Sequence, residues 1–164
     1  MIAKNKELNN FIGHCINIGI FRPLNVLNKD YVMDYILYNY VDLWNQHNFN
    51  FENFMEFAKN NGYNIEKVDD LGDNLLMIAS KMNYIDLVKT LIKLKVNLNT
   101  LDFVGRNALF ISVINKNIES AAILIDAGSE INLTFNGNTI LDYAKNWVGV
   151  DSKLVNLLKS KGAK

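Results

Sequence analysis

Residues 72–80 read Gly-Asp-Asn-Leu-Leu-Met-Ile-Ala-Ser, and residues 105–113, 33 positions further along, read Gly-Arg-Asn-Ala-Leu-Phe-Ile-Ser-Val. The two stretches keep a glycine, an asparagine, a leucine and a small residue in register. A third copy, Gly-Asn-Thr-Ile-Leu-Asp-Tyr-Ala, occupies residues 137–144, 32 positions after the second. Self-similarity at a fixed spacing of about 20–50 residues is typical of solenoids and other repeat arrays. The sequence therefore predicts a stack of repeated units.

The match extends beyond these three heads. Leu91 and Asn99 recur as Leu124 and Asn132, and Gly62 stands two periods of 33 residues before Gly128. The periodicity divides most of the chain into a partial unit, 51–66, followed by three units, 67–99, 100–132 and 133–164. Residues 1–50 lie outside it.

Each unit carries the signals of two short helices. Asn74 and Asn107 suit helix N-caps, because their side-chain carbonyls can accept amide hydrogens of the first turn. Leu76 and Ala79 then share one face, and a second apolar helix follows. Gly128 suits the left-handed end of that second helix. We expect an all-α solenoid with short hairpin-like turns and helices starting near Asn74, Asn107 and Thr139.

The heads resemble the ankyrin repeat, a 33-residue unit of a turn and two helices headed by Gly-x-Thr-Pro-Leu-His-x-Ala. The glycine, the leucine and the small residue are present in register, whereas the threonine survives only as Thr139 and the histidine is absent. Asn83 and Lys116 stand where the family has a glycine after the first helix. The resemblance implies a protein-binding module that needs no catalytic residue and no cofactor.

The N-terminal third predicts further helices. Residues 5–19, 30–46 and 51–61 have helical apolar spacing, and Arg22-Pro23 should break the chain between the first two. Because a solenoid needs atypical end units to cover its core, we expect residues 1–50 to form a helical N-terminal cap.

Composition excludes several classes of function. The formal charge is zero, from 17 basic and 17 acidic residues, so no overall field attracts a phosphate backbone, and we expect no nucleic-acid partner. No apolar stretch is long enough for a membrane span, and we expect no membrane partner. A single cysteine, Cys15, cannot form an intramolecular disulfide. We expect a cytoplasmic protein, or one exported without a cleaved signal.

The residues that usually carry chemistry are few. His14 and Cys15 are adjacent, so on a helix they point about 100° apart and cannot act as a base and its nucleophile. A buried thiol beside a surface imidazole is the favoured interpretation, and His47 lies in a polar turn. No metal-ligand spacing or phosphate-binding loop is present, so we predict no metal. The tyrosine stripe Tyr31, Tyr35, Tyr38 is interpreted as packing, with a ligand site as the alternative.

The ankyrin resemblance also implies where a partner binds, namely at the turn tips and on the exposed side of the first helix of each unit. Large apolar residues at such places are typical of an interaction patch, although several could instead tuck beneath neighbouring turns. Acidic residues in the first turn favour a partner with a basic surface. The predicted partner-binding residues are Val68, Asp70, Leu71, Asp73, Met82, Leu101, Phe103, Val104, Arg106, Ile114, Phe135, Asn138 and Trp147.

Small stand-alone ankyrin proteins of bacteria and viruses include immunity proteins that neutralise a toxin and effectors that engage host proteins. The leading hypothesis is a stoichiometric inhibitor of the immunity type, because no second domain delivers an activity. A host-directed effector or scaffold is the first alternative. An enzyme or ligand-binding activity in the helical N-terminal region is the alternative of another class.

Overall fold

A computed structural model describes residues 6–45, 51–149 and 152–164. The chain folds into two units, Met1–Asp69 and Asp70–Lys164. The predicted limit at residue 50, and the capping role of the residues before it, stay predictions. His47 lies outside the described residues, so nothing is added to its interpretation.

The first unit is helical, as the sequence predicts. Its elements are α1 (Lys6–Asn17), a 3-10 helix (Arg22–Val26), α2 (Lys29–Asn45) and α3 (Phe51–Asn60). The observed helices agree with the predicted ranges to within two residues at the ends described. Pro23 occupies the first turn of the 3-10 helix, where its missing amide hydrogen costs nothing. The core of this unit includes Ile12, Leu24, Ile36 and Phe54, all fully buried.

The second unit contains three helix pairs. They are α4 (Leu75–Lys81) with α5 (Ile85–Lys93), α6 (Ala108–Ile114) with α7 (Ile118–Asp126), and α8 (Ile140–Val148) with α9 (Lys153–Ser160). The first helices of the pairs stack as α4 on α6 on α8, and α5, α7 and α9 stack in the same order. This confirms the all-α repeat solenoid.

The predicted N-caps explain why the first helix of each pair begins where it does. The Asn74 side chain accepts a hydrogen bond from the Met77 amide at 3.0 Å, and the Asn107 side chain accepts one from the Phe110 amide at 2.8 Å. Thr139 caps α8 in the same way. Each cap satisfies an amide that the first turn leaves without a helical partner.

Small residues allow the stacked helices to approach one another. Ala79, Ser112 and Ala144 hold equivalent places and are fully buried, as is Leu109 beside them. The Ser112 hydroxyl donates to the Leu109 carbonyl at 2.7 Å, so its polar group is satisfied inside the core.

The turn before the first helix of each pair is called a finger: the first finger precedes α4, the second lies between α5 and α6, and the third lies between α7 and α8. The third finger is a two-stranded antiparallel hairpin, β1 (Thr134–Phe135) and β2 (Asn138–Thr139). Its loop is Asn136-Gly137, and both residues have positive φ, 50° and 75°. Asn-Gly is the dipeptide that such a tight hairpin turn favours. No helix in the described parts of the chain is long and apolar enough to cross a bilayer.

Candidate functional site

The second finger is organised by one buried carboxylate. Asp102 accepts hydrogen bonds from the Val104 amide at 3.0 Å and the Arg106 amide at 2.8 Å. The Arg106 guanidinium donates to the other carboxylate oxygen at 2.7 Å, and the Asp102 amide donates to the Arg106 carbonyl. These bonds close the finger at its base. Sequence reasoning missed Asp102, although an aspartate three places before Gly105 is a known turn signal.

The apolar side chains at the tip of this finger face solvent. Leu101 is 47% exposed, Phe103 73% and Val104 55%. All three belong to the predicted partner-binding set. Because the Asp102 bonds fix the backbone on both sides of Phe103, these side chains project from an ordered loop.

The first finger meets the second through its backbone. The Phe103 amide donates to the Leu71 carbonyl at 3.3 Å. Gly72 has a φ of +82°, and a β-carbon added there would lie 2.7 Å from the Phe103 nitrogen. Leu71 is 66% exposed beside this contact. The exposed apolar residues of these two adjoining fingers, Leu71, Leu101, Phe103 and Val104, are called the tip patch below.

The third finger uses its aromatic residue differently. Phe135 is half-buried, with its ring 6.0 Å from that of Phe110 and 6.4 Å from that of Tyr143. The Arg106 guanidinium lies 5.4 Å from the centre of the Phe135 ring, so it covers one face. Phe110, Tyr143 and Arg106 therefore cover part of the Phe135 ring, so it exposes less apolar surface than Phe103, and its part in partner binding stays a prediction. Asn138, beside it, is exposed.

Two charged residues of the predicted set, Asp73 and Arg106, are buried or half-buried. Asp73 is buried, because it lies at the base of the first finger, directly before the N-cap Asn74. It cannot face a partner at the finger tip, which corrects that expectation. Arg106 is half-buried and forms an ion pair with Asp102 at 2.7 Å. Asp70, by contrast, is exposed next to Leu71.

A second group of predicted residues lies at the far ends of the first helices. Met82 and Trp147 are exposed, whereas Ile114 is half-buried. The Lys116 ammonium lies 4.8 Å from the centre of the Trp147 ring, a cation–π contact between neighbouring repeats. A seven-residue helix such as α4, about 10 Å long, separates these ends from the fingers. Val68 is exposed and belongs to the first unit.

The family is decided by the match of its sequence model. The model for ankyrin repeats, in three copies, matches residues 45–135 and 76–164, most of the chain. The chain belongs to the ankyrin-repeat family. Stacked repeats of this kind present extended surfaces on which other proteins bind.

The chain also resembles a solved structure. A chain of the Bd0816 predatory endopeptidase from Bdellovibrio bacteriovorus in complex with immunity protein Bd3460 is 25% identical, with a TM-score of 0.60. The similarity covers 68% of this chain and 58% of that one, so the present chain spans less than two thirds of its neighbour's length. No curated protein matches the sequence.

Outside the ankyrin repeats, Cys15 is buried and His14 is exposed, as interpreted from their sequence positions. Burial raises the pKa of the Cys15 thiol, which disfavours the thiolate that nucleophilic chemistry requires. Among the described residues, no cluster of histidine, cysteine and carboxylate groups could hold a metal ion.

The tyrosine stripe of α2 divides between packing and solvent. Tyr35 is buried, and the Tyr31 hydroxyl donates to the Asn9 side chain at 2.9 Å. Tyr38 is 47% exposed. An open cleft of about 400 Å³ lies beside Tyr31, and the Lys67 ammonium bridges two of its aspartates, Asp30 at 3.6 Å and Asp34 at 3.1 Å. The basic group that complements these carboxylates thus comes from the chain itself.

Proposed function

We propose that this ankyrin-repeat protein binds another protein through the tip patch and acts as a stoichiometric inhibitor of the immunity type. The observation that carries the proposal is the exposure of Leu71, Phe103 and Val104 on two fingers that contact each other. Contiguous exposed apolar residues are typical of interaction sites.

The folding of the repeats does not require these side chains. Their core is supplied by helix residues such as Leu76, Leu109 and Leu124, which are buried. Aromatic side chains near the centre of an interface often contribute about 2 kcal/mol or more to binding. The hydrogen bonds of Asp102 hold Phe103 in an ordered loop, so less conformational entropy is lost when a partner covers it.

The immunity role rests on the structural neighbour. Its solved complex joins an endopeptidase to an immunity protein, and a chain of that complex is similar in fold to 68% of this chain. An inhibitor of this kind needs a complementary surface and no catalytic group. Met82 and Trp147 supply a second contact if the partner extends along the first helices, and Ile114 and Asn138 are proposed as peripheral contacts. Val68, in the first unit, is proposed as a contact by itself.

The first experiment is affinity capture from the native organism with the full chain and two variants. Phe103→Ala removes the central aromatic of the tip patch. Ile118→Ala is the matched control, because Ile118 is 45% exposed at the start of α7, away from the fingers. A protein captured by wild type and the control, but not by Phe103→Ala, supports the proposal. Equal capture by all three contradicts it.

The second experiment separates an inhibitor from an effector or a scaffold. The captured protein is expressed alone and then together with wild type or with Phe103→Ala. Growth arrest that wild type relieves and Phe103→Ala does not would support the immunity role. A captured protein that is harmless, or whose toxicity the wild-type chain does not relieve, would favour the effector or scaffold alternative.

A further inference from the structure

The charges around the tip patch are not balanced. Arg106, the basic residue of the second finger, has its guanidinium bonded to Asp102 and packed on Phe135. Its charge is therefore neutralised within the fold. Asp70 is exposed beside Leu71, and no ion pair of the described residues includes it. Asp70 therefore supplies an exposed carboxylate next to the tip patch.

The tip patch itself is small and ordered. It consists of four exposed apolar side chains on two fingers that share the Leu71–Phe103 backbone contact, and Phe103 is the largest and most exposed of them. Such a surface accommodates one large apolar side chain of a partner. A charge next to that side chain would meet Asp70, and a complementary sign is favoured at the rim of an interface.

We infer that the tip patch takes a large apolar side chain whose neighbour, one or two positions away in the partner, is Lys or Arg. The inference rests on the proposed function and specifies its partner. A carboxylate in that place would be repelled by Asp70. A second copy of this chain is disfavoured for the same reason, because it would bring its own Asp70 to the contact.

The test is a selection from a random 16-residue peptide library displayed on phage, with the full chain as bait and Phe103→Ala as the counter-selecting bait. Peptides that bind wild type and not Phe103→Ala should be enriched in a large apolar residue with Lys or Arg within two positions. The inference would be overturned if the enriched peptides carry acidic neighbours or no basic residue. It would also be overturned if no peptide depends on Phe103 for binding.

Charge reversal then tests Asp70 directly with a synthetic copy of the most enriched peptide. Asp70→Lys should weaken its binding by about two- to fivefold at low salt, the size of an exposed ion pair, and the difference should shrink as salt rises. Glu119→Lys makes the same change of net charge at an exposed site on α7 and should leave binding unchanged. Equal effects of both variants, or no effect of Asp70→Lys, would refute the role of Asp70.

The outcomes separate this inference from the proposed function. Protein capture that depends on Phe103, together with peptides that lack basic residues, would leave the proposed function standing and remove the inferred chemistry. Protein capture independent of Phe103 would remove the proposed function itself. Dimerisation of the chain that Phe103→Ala abolishes would make a second copy the occupant and would overturn the inference.

Discussion

The second and third fingers carry a phenylalanine at the same place in the repeat, and the two side chains have opposite surroundings. Phe103 projects from its tip with 73% of its surface exposed. Phe135 lies against Phe110 and Tyr143, with the Arg106 guanidinium on its ring. Residues at equivalent places in the repeat can therefore have different surroundings, and the residues around a side chain decide whether it packs or remains available to a partner.

The same rule applies to the left-handed positions. Lys95 and Gly128 are 33 places apart and both have positive φ, 59° and 91°. Asn83 and Lys116 are also 33 places apart, with φ of 57° and 62°. Their side chains differ in what they contact: Asn83 accepts a hydrogen bond from the buried Ser120 hydroxyl, and Lys116 lies over Trp147. Substitutions at pairs of equivalent residues therefore test how far surroundings decide the role of a side chain.

The largest expected effect is on the shared core. Leu109 is fully buried where α6 stacks between α4 and α8, so Leu109→Ala should lower the free energy of unfolding by about 2–5 kcal/mol. Chemical denaturation followed by circular dichroism measures it. A loss below about 1 kcal/mol would show that the register of the repeats is wrong.

The next comparison is between equivalent glycines. Gly72 and Gly105 have similar positive φ, so alanine strains both, by roughly 1–2 kcal/mol. Only at Gly72 would the new β-carbon also meet the Phe103 backbone, at 2.7 Å. Overpacking of this kind costs about 1–3 kcal/mol more. Equal free energies of unfolding for Gly72→Ala and Gly105→Ala would argue against the contact between the fingers.

Glycine substitutions at the left-handed positions should have smaller effects of opposite sign. Lys95 holds a positive φ that strains a residue with a side chain, whereas its equivalent, Gly128, adopts positive φ without strain. Lys95→Gly should therefore raise the free energy of unfolding by up to about 1 kcal/mol. The positive φ of Asn83, taken alone, would make Asn83→Gly a stabilising change, because glycine adopts positive φ without strain. The bond from Ser120 reverses that expectation, since its loss leaves a buried hydroxyl without a partner and should cost about 1 kcal/mol net. Stabilisation by both variants would refute the role of Asn83.

The smallest expected effect depends on pH and concerns the start of α8. Two hydrogen bonds lower the pKa of the Asp142 carboxyl: the larger effect comes from the Thr139 amide and the smaller from the Thr139 hydroxyl. A lowered pKa in the folded state stabilises the fold above the ordinary aspartate pKa, and this contribution is lost as pH falls through the lowered value. The melting temperature of wild type should therefore exceed that of Asp142→Asn at neutral pH, and the two should converge in acid. If the difference in melting temperature between the two proteins does not change with pH, the Asp142 carboxylate is not its source.

Much of the fold could be predicted because its signals are local. The N-caps Asn74, Asn107 and Thr139 act within one helical turn, and the 33-residue spacing identifies equivalent leucines without any knowledge of contacts. The turn residues Asn136-Gly137 carry their conformation in their own chemistry.

The candidate site was harder to predict from the sequence, because the burial of a side chain at the fingers depends on neighbouring repeats. Phe135 is covered by Arg106 and Tyr143, which lie 29 places before it and 8 after it along the chain. Asp73 is buried at the base of a finger although its neighbour Asp70 is exposed. Asp102 could have been identified from its spacing to Gly105, but its bonds with Arg106 could not.

If Phe103 serves binding and Phe135 serves folding, alanine variants of the two residues should differ in both the affinity for the partner and the free energy of unfolding. Phe103→Ala should weaken binding of the captured partner by about 30-fold or more, with the free energy of unfolding within about 0.5 kcal/mol of wild type. Phe135→Ala should lower the free energy of unfolding by roughly 1–3 kcal/mol, less than a fully buried phenylalanine, and leave the Kd of the folded protein nearly unchanged. If Phe135→Ala loses binding while remaining stable, or Phe103→Ala unfolds the protein, the two roles are assigned the wrong way round.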